Sequence, residues 1–264
     1  MGEKAEKSLS SAESRAAAKD AQRVAFWGLA LFGGARLLGV VLDALPLPSA
    51  VAQAVAAEWG AGRLGVAWSD PKEKAPTSRE MAKRAGLGAA VGLVATGMVV
   101  AFLASTRAIV LHRVTLAVEP FAVALLTAGL YAMRDELLLH GIAMRALVSL
   151  DVPWLKALAC GVTSAAAASG EPAAAPRAVV VTGLLGIVFG ALWVRDRGAW
   201  AAWGAHTAWL FGTGALMQGG AFDAHVAMNA WGGGNAGPLG GDAAIVALLP
   251  LAVGAIAGTL RAKR

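Results

Sequence analysis

Residues 178–194 read AVVVTGLLGIVFGALWV, a continuous apolar run without a charged side chain. Hydrocarbon offers no water to pair with backbone N–H and C=O groups, so a run of this kind is stable in a bilayer as a helix. Its glycines at 183, 186 and 190 recur at helical spacing, and small residues on one face let a neighbouring helix approach closely. The run therefore predicts a membrane helix that packs tightly against another helix.

The composition of the whole chain resembles that of this run. Of its 264 residues, 57% are hydrophobic and only 15% are charged. Soluble domains carry about a quarter charged residues, which argues against a cytosolic enzyme or a disordered protein. The net charge of +6 arises from basic residues that lie between apolar runs and not along one face. This distribution suits contact with membrane lipid and argues against a nucleic-acid partner.

Further apolar runs extend the prediction to the rest of the chain. They lie at about 24–45, 87–105, 115–133, 137–150, 154–169, 199–217 and 242–260. The runs are rich in Ala, Leu and Gly and lack the alternation of barrel strands, so the predicted fold class is an all-α, polytopic membrane bundle of about seven to eight transmembrane helices. Tryptophans near the ends of runs, Trp193 among them, are interpreted as indoles that place their N–H groups at the headgroup level.

The distribution of polar residues predicts the organisation of the chain. We expect a polar tail at 1–23, membrane helices over 24–113 with a polar loop or interfacial helix near 47–86, and a core over 114–220. A Gly-rich loop at 221–241 and a last helix with a basic tail at 242–264 follow. His225 is assigned to the loop, and His112 to a short, solvated basic connection.

The stretch AMRDELLLHG, residues 132–141, carries the most informative ionisable residues. Asp135 and Glu136 are adjacent acids at the start of an apolar helix, and His140 lies on the helical face of Glu136. Charge repulsion and burial favour proton uptake by one acid, as a hydrolytic general base requires. The alternative is that the acids mark a helix start at the membrane interface, where the helix dipole favours them.

His206 lies within WGAHTAW, residues 203–209, midway along another apolar run. A histidine at such a position can bind a metal ion, donate to an oxyanion or simply bond a neighbouring carbonyl group. These three interpretations stay open on the residues alone.

The order of these elements resembles the CAAX-protease and bacteriocin-processing (CPBP/Abi) family of intramembrane metalloproteases. An acid pair on one helix is followed by a run ending in FGALWVRDRG, residues 189–198, and by a histidine on the next helix. The resemblance covers about residues 115–220. Family members have the motifs Glu-Glu-x-x-x-Arg, Phe-x-x-x-His and His-x-x-x-Asn or Asp, on a bundle of about eight helices.

The resemblance implies a role for each matching residue. Asp135 stands where the first glutamate of the family activates water, Glu136 matches the second glutamate, and His140 replaces the arginine. His206 matches the third-motif histidine, but Leu210 replaces the expected amide or acid. The resemblance thus implies Asp135, Glu136 and His206 as catalytic residues with His140 in support.

The second motif is not recognisable in this chain. By spacing it falls at residues 167–171, where the sequence reads AASGE; the histidine is missing, and Glu171 is a candidate substitute. Glu136, His140 and His206 form a candidate ligand set for a divalent metal such as zinc. No other cofactor is expected.

The expected function is that of an intramembrane endopeptidase acting on a peptide or a membrane protein by means of a carboxylate-activated water. The alternatives are a catalytically inactive relative that serves as a membrane scaffold or partner-binding protein, and a small proton-coupled transporter that uses the acids and histidines as a relay. The expected location is a bacterial inner membrane, and the sequence does not determine the oligomeric state.

Overall fold

The computed structural model describes residues 11–115, 117–170, 175–217, 221–233 and 240–261. Over these residues the chain is a bundle of helices with one short β-ribbon. The helices are α1 (Ser11–Val41), α2 (Pro46–Arg63), α3 (Ser78–Ser105), α4 (Val118–Asp135), α5 (Ile142–Ala146), α6 (Pro153–Ser169), α7 (Pro176–Asp196), α8 (Trp200–Thr213) and α9 (Asp242–Arg261). The strands are β1 (Ile109–Arg113) and β2 (Phe222–Val226).

Four helices among the described residues are long and apolar enough to cross a membrane. They are α1 from Ser14 onward, α3, α7 and α9. Large apolar side chains cover the outside of the bundle; Leu29 of α1 is 72% exposed and Val40 is 74% exposed. Such a surface is stable against lipid and not against water. The prediction of an all-α membrane bundle is confirmed, and the protein is an integral membrane protein.

Helices α6 and α7 pack at the close distance that the glycines of run 178–194 predict. A Cβ atom at Gly186 would lie 2.7 Å from the carbonyl oxygen of Cys160, and one at Gly190 would lie 3.0 Å from the Cα atom of Ala157. Any larger residue would therefore force the two backbones apart. The close-packing interpretation of these glycines is confirmed.

Helices α3 and α8 form a second close pair by the same means. Cβ atoms at Gly88 and Gly92 of α3 would overlap the carbonyl oxygens of Ala201 and Ala205 on α8. Gly204 of α8 meets α3 in the same way, because a Cβ atom there would overlap a backbone carbonyl oxygen of α3. Helix α9 packs against α3, α6 and α7 and closes this half of the bundle.

The apolar runs at 115–133 and 137–150 belong to one continuous helical segment. Helix α4 passes into α5 through a single turn of π-helix, Glu136–Gly141. This π-turn contacts helices α1, α2, α6, α7 and α8. The charged residues at 134–136 therefore do not begin a helix at the interface; they lie inside one, at the centre of the bundle.

The stretch 47–86, predicted as a loop or interfacial helix, contains a helix that packs within the bundle. Helix α2 begins with prolines in its first turn and packs against α1 and α4. Its buried face consists mainly of small residues, such as Ala50, Ala54 and Ala57, which give little hydrophobic signal in the sequence. Helix α3 begins within the same stretch, with a capping box between Thr77 and Glu80.

The connection between α2 and α3 is attached to the turn between α7 and α8. The indole rings of Trp68 and Trp200 stack with centroids 4.7 Å apart, and the N–H of Ala199 donates to the carbonyl oxygen of Trp68 over 2.9 Å. Arg197 ends α7 in the left-handed conformation, with φ of 51°. These contacts fix where α7 stops and α8 begins.

The assignment of His112 and His225 to irregular connections is wrong. Strands β1 and β2 form a two-stranded antiparallel ribbon, in which His112 pairs with Asp223 and Val110 with His225. The two strands are far apart in sequence, so neither segment shows its partner, and a single short strand gives little periodicity.

We expect Gly92→Ala to destabilise the protein and Gly97→Ala to leave its stability unchanged or to raise it slightly. A methyl group at Gly92 would overlap the backbone of α8, whereas at Gly97 of the same helix nothing lies within 4 Å. Alanine favours an exposed helix position by up to about 1 kcal/mol over glycine. The melting temperature of each variant is measured by thermal unfolding in detergent. Equal melting temperatures would contradict the close α3–α8 contact.

Candidate active site

The π-turn places the carboxylate of Glu136 at the centre of the bundle, where it is 0% exposed. Its Oε2 atom accepts from Nδ1 of His140 over 2.9 Å and from the indole Nε1 of Trp193 over 2.6 Å. Its Oε1 atom accepts from Nδ1 of His206 over 2.9 Å. The π-turn, α7 and α8 thus supply the three donors to one buried acid.

Two further side chains hold the imidazoles in place. Nε2 of His140 lies 2.8 Å from Oγ of Ser164 on α6. The ring of Phe189 stacks on His206 with centroids 4.7 Å apart. The His206 side chain is 12% exposed and that of His140 only 1%, so His206 is the more accessible imidazole of the cluster.

The hydrogen-bond pattern defines the tautomer of both histidines. An ionised carboxylate accepts hydrogen bonds and cannot donate them, so each imidazole presents an Nδ1–H group to Glu136. A buried carboxylate is stable only when hydrogen bonds and a positive charge balance it. Nε2 of His206 is the ring nitrogen that remains for other chemistry.

Asp135 lies in a different environment from its neighbour. Its Oδ1 atom accepts from Nε of Arg134 over 2.6 Å, and its side chain is 14% exposed. With Tyr131 and Leu210, both residues line an open groove of about 870 Å³. Successive helical residues point about 100° apart, so one acid faces the core and the other faces the groove.

The structure therefore brings together three of the residues singled out from the sequence: Glu136, His140 and His206. Asp135 is adjacent in the chain but faces the groove, and Glu171 lies outside the described residues. The sequence predicted that Glu136 and His140 lie on the same helical face. Their side chains are in contact, although a π-turn replaces the α-helix there. Arg145 of α5 binds Asp20 of α1 over 2.8 Å.

The predicted metal ligands do not fit a metal ion in this arrangement. Among the described residues no group of three or more His, Cys, Asp or Glu side chains is placed to hold one. The reason is visible in the cluster: both histidines direct Nδ1 at the carboxylate, and Nε2 of His140 faces Ser164. Three of the four ring nitrogens are thus engaged within the cluster, and Nε2 of His206 alone does not make a metal site.

Sequence reasoning missed Trp193, Ser164 and Phe189 as members of the cluster. The interpretation of Trp193 as a headgroup anchor is wrong, because it is only 7% exposed and donates to Glu136. Its position four residues after Phe189 places both on one face of α7, which is the only hint that the sequence gives.

We expect Glu136→Gln to destabilise the protein far more than Asp135→Asn does. The first change puts an amide N–H₂ group among three donors and removes a buried negative charge, a loss of about 3–5 kcal/mol. The second keeps an acceptor oxygen for Arg134 at the groove wall and costs about 1 kcal/mol. The free energy of unfolding of both variants is measured in the same detergent. Similar losses of stability would contradict the central, buried position of Glu136.

Comparison with known proteins finds one family to which this region is similar. Residues 117–212 match the family model described as type II CAAX prenyl endopeptidase Rce1-like. The match spans α4, the π-turn and α5 to α8 up to Gly212, and so contains both acids and both histidines of the site. No curated protein and no solved structure matches the chain. Residues 117–212 of this integral membrane protein are therefore similar to the Rce1-like type of CAAX endopeptidase.

Proposed function

We propose that the protein is a membrane endopeptidase of the CAAX-processing type that cleaves a peptide or membrane protein close to the bilayer. The observation that carries the proposal is the open groove beside the buried cluster. Asp135, at the position of the family's water-activating acid, lines this groove. Leu210, one helical turn after His206 on α8, lines it too. The groove therefore approaches the proposed base and the helix face of the accessible imidazole.

In the proposed mechanism Asp135 is the general base. A water molecule in the groove gives one proton to its carboxylate as the water oxygen attacks the scissile carbonyl carbon. The C–N bond of the tetrahedral intermediate then breaks, and the proton passes from Asp135 to the leaving amine. The charge of the intermediate develops on the former carbonyl oxygen, where a hydrogen-bond donor is most effective.

His206 is the proposed donor to that oxygen. Glu136 holds Nδ1 of the imidazole and leaves Nε2 as the nitrogen that would donate to substrate, in the way that a buried acid orients a catalytic histidine in other hydrolases. In the proposed step the imidazole carries a proton at Nε2, and this N–H group donates to the oxyanion. Glu136, His140 and Trp193 position this group and do not touch substrate. No step of this mechanism runs through a metal ion.

We further propose that the enzyme works in a bacterial inner membrane, where lipid surrounds it and its substrate is a peptide or a membrane protein. The Ala, Gly and Arg bias of the sequence suits a bacterium with a GC-rich genome.

The second candidate function is a catalytically inactive scaffold or partner-binding protein. Two observations favour it. Nε of Arg134 donates to Oδ1 of Asp135 over 2.6 Å, and the guanidinium neutralises the charge of this carboxylate. The apolar Leu210 occupies the position of the family's amide or acid. Under this alternative the acids and histidines serve only to hold the bundle together.

We expect purified protein in detergent to cleave members of a quenched, prenylated peptide library. Asp135→Ala should lower kcat/KM by about 10²- to 10⁴-fold through loss of the base. His206→Ala should lower it by about 10²- to 10³-fold through loss of the oxyanion donor. His225→Ala, which removes an exposed imidazole from the ribbon, is the matched control and should leave the rate unchanged. Cleavage that survives both site substitutions would contradict the proposal.

We also expect Leu210→Asn to raise kcat/KM. The amide would restore a hydrogen-bonding group on the groove wall one turn from His206, where the third family motif has one. A single oxyanion donor of this kind contributes about 10²- to 10³-fold in rate. If folded wild type and Leu210→Asn both fail to cleave the library, the scaffold function is the better account.

A further inference from the structure

We infer that Gln53, on helix α2, is a positioning residue for the proposed base Asp135 and acts through Arg134. Helix α2 precedes the family match at residues 117–212, so the domain match assigns no role to it. The inference rests on the proposed function, because it concerns the same groove and the same acid.

A chain of hydrogen bonds connects Gln53 with Asp135. Nε2 of Gln53 donates to Oγ of Ser49 over 3.0 Å, and its Oε1 atom accepts from Nη1 of Arg134 over 2.6 Å. Nε of Arg134 in turn donates to Oδ1 of Asp135 over 2.6 Å. Ser49 and Gln53 are each 2% exposed and Arg134 is 7% exposed, so little water competes for these bonds.

This chain fixes the direction of the guanidinium. Arg134 can only donate, so the amide of Gln53 turns its oxygen to the guanidinium and its N–H₂ group to Ser49. The guanidinium is planar and rigid, so holding Nη1 also directs the Nε–H group at Asp135. The ring of Tyr131 lies against the same guanidinium, 5.2 Å from its carbon atom to the ring centroid, and supports its plane.

Helix α1 confines Gln53 from the other side. A Cβ atom at Gly39 would lie 2.9 Å from Nε2 of Gln53, so a larger residue there would displace the amide. Gln53 and Gly39 both line the groove together with Asp135. Helices α1 and α2 thus contribute a wall and an orienting group to a site whose reacting groups lie on α4 and α8.

Four variants test this role in the cleavage assay. Gln53→Leu keeps most of the side-chain volume and removes the acceptor, Gln53→Asn keeps the amide and shortens its reach, and Gln53→Glu keeps an acceptor at the same reach. Thr259→Val is the matched control, because Thr259 is also buried but its hydroxyl bonds only its own helix, at the carbonyl of Ile256.

We expect Gln53→Leu and Gln53→Asn to lower kcat by about tenfold to a hundredfold with KM changed less than about threefold, because a misplacement of about 1 Å is enough to slow the chemical step. Gln53→Glu should retain kcat within about threefold, because its carboxylate still accepts from Arg134. Thr259→Val should match wild type. A purely structural role predicts the opposite order, with the isovolumetric Leu tolerated and the buried Glu harmful. That order, or wild-type kcat in Gln53→Leu, would overturn the inference.

A second measurement separates failure of the inference from failure of the proposed function. Melting temperatures of Gln53→Leu, Asp135→Asn and the double variant form a cycle that requires no activity. Losses that are not additive support coupling of Gln53 with Asp135 through Arg134, and additive losses overturn it. If folded wild type does not cleave, the proposed function fails, and the cycle alone decides whether the coupling exists.

Discussion

The buried carboxylate of Glu136 is the constraint on which the arrangement of the bundle depends. A charged group with no exposed surface is stable only if donors surround it, and here they come from the π-turn, α7 and α8. Each donor must lie within hydrogen-bond distance at the same time. The positions of these helices relative to one another are therefore coupled through one acid.

Close helix packing makes this coupling possible. Gly186 and Gly190 let α6 and α7 approach, and the same approach brings Ser164 of α6 to His140. Gly88 and Gly92 place α8 against α3, which locates His206. In lipid there is little hydrophobic gain from helix association, so such close contacts and buried hydrogen bonds supply much of the specificity.

The two adjacent acids illustrate how a helix divides chemistry between two faces. Glu136 points into the core and orients an imidazole, whereas Asp135 points into the groove beside Arg134. The π-turn that begins at Glu136 adds a residue to the helical turn and changes the direction of every side chain after it. Such turns are frequent at functional sites, where they direct a side chain that a regular helix would place elsewhere.

The sequence by itself determined the membrane bundle, the close packing at glycines 183, 186 and 190, and the contact between Glu136 and His140. These features depend on composition and on spacings of three or four residues, which a helix converts directly into neighbours. His206 was also identified, from its rarity in an apolar run and from a family motif. The tertiary structure alone decided that Trp193 and Ser164 complete the cluster, that Gln53 reaches Arg134, and that β1 pairs with β2. Those contacts join segments far apart in the chain, and they depend on how each helix is rotated and crossed against the next, which local periodicity does not encode.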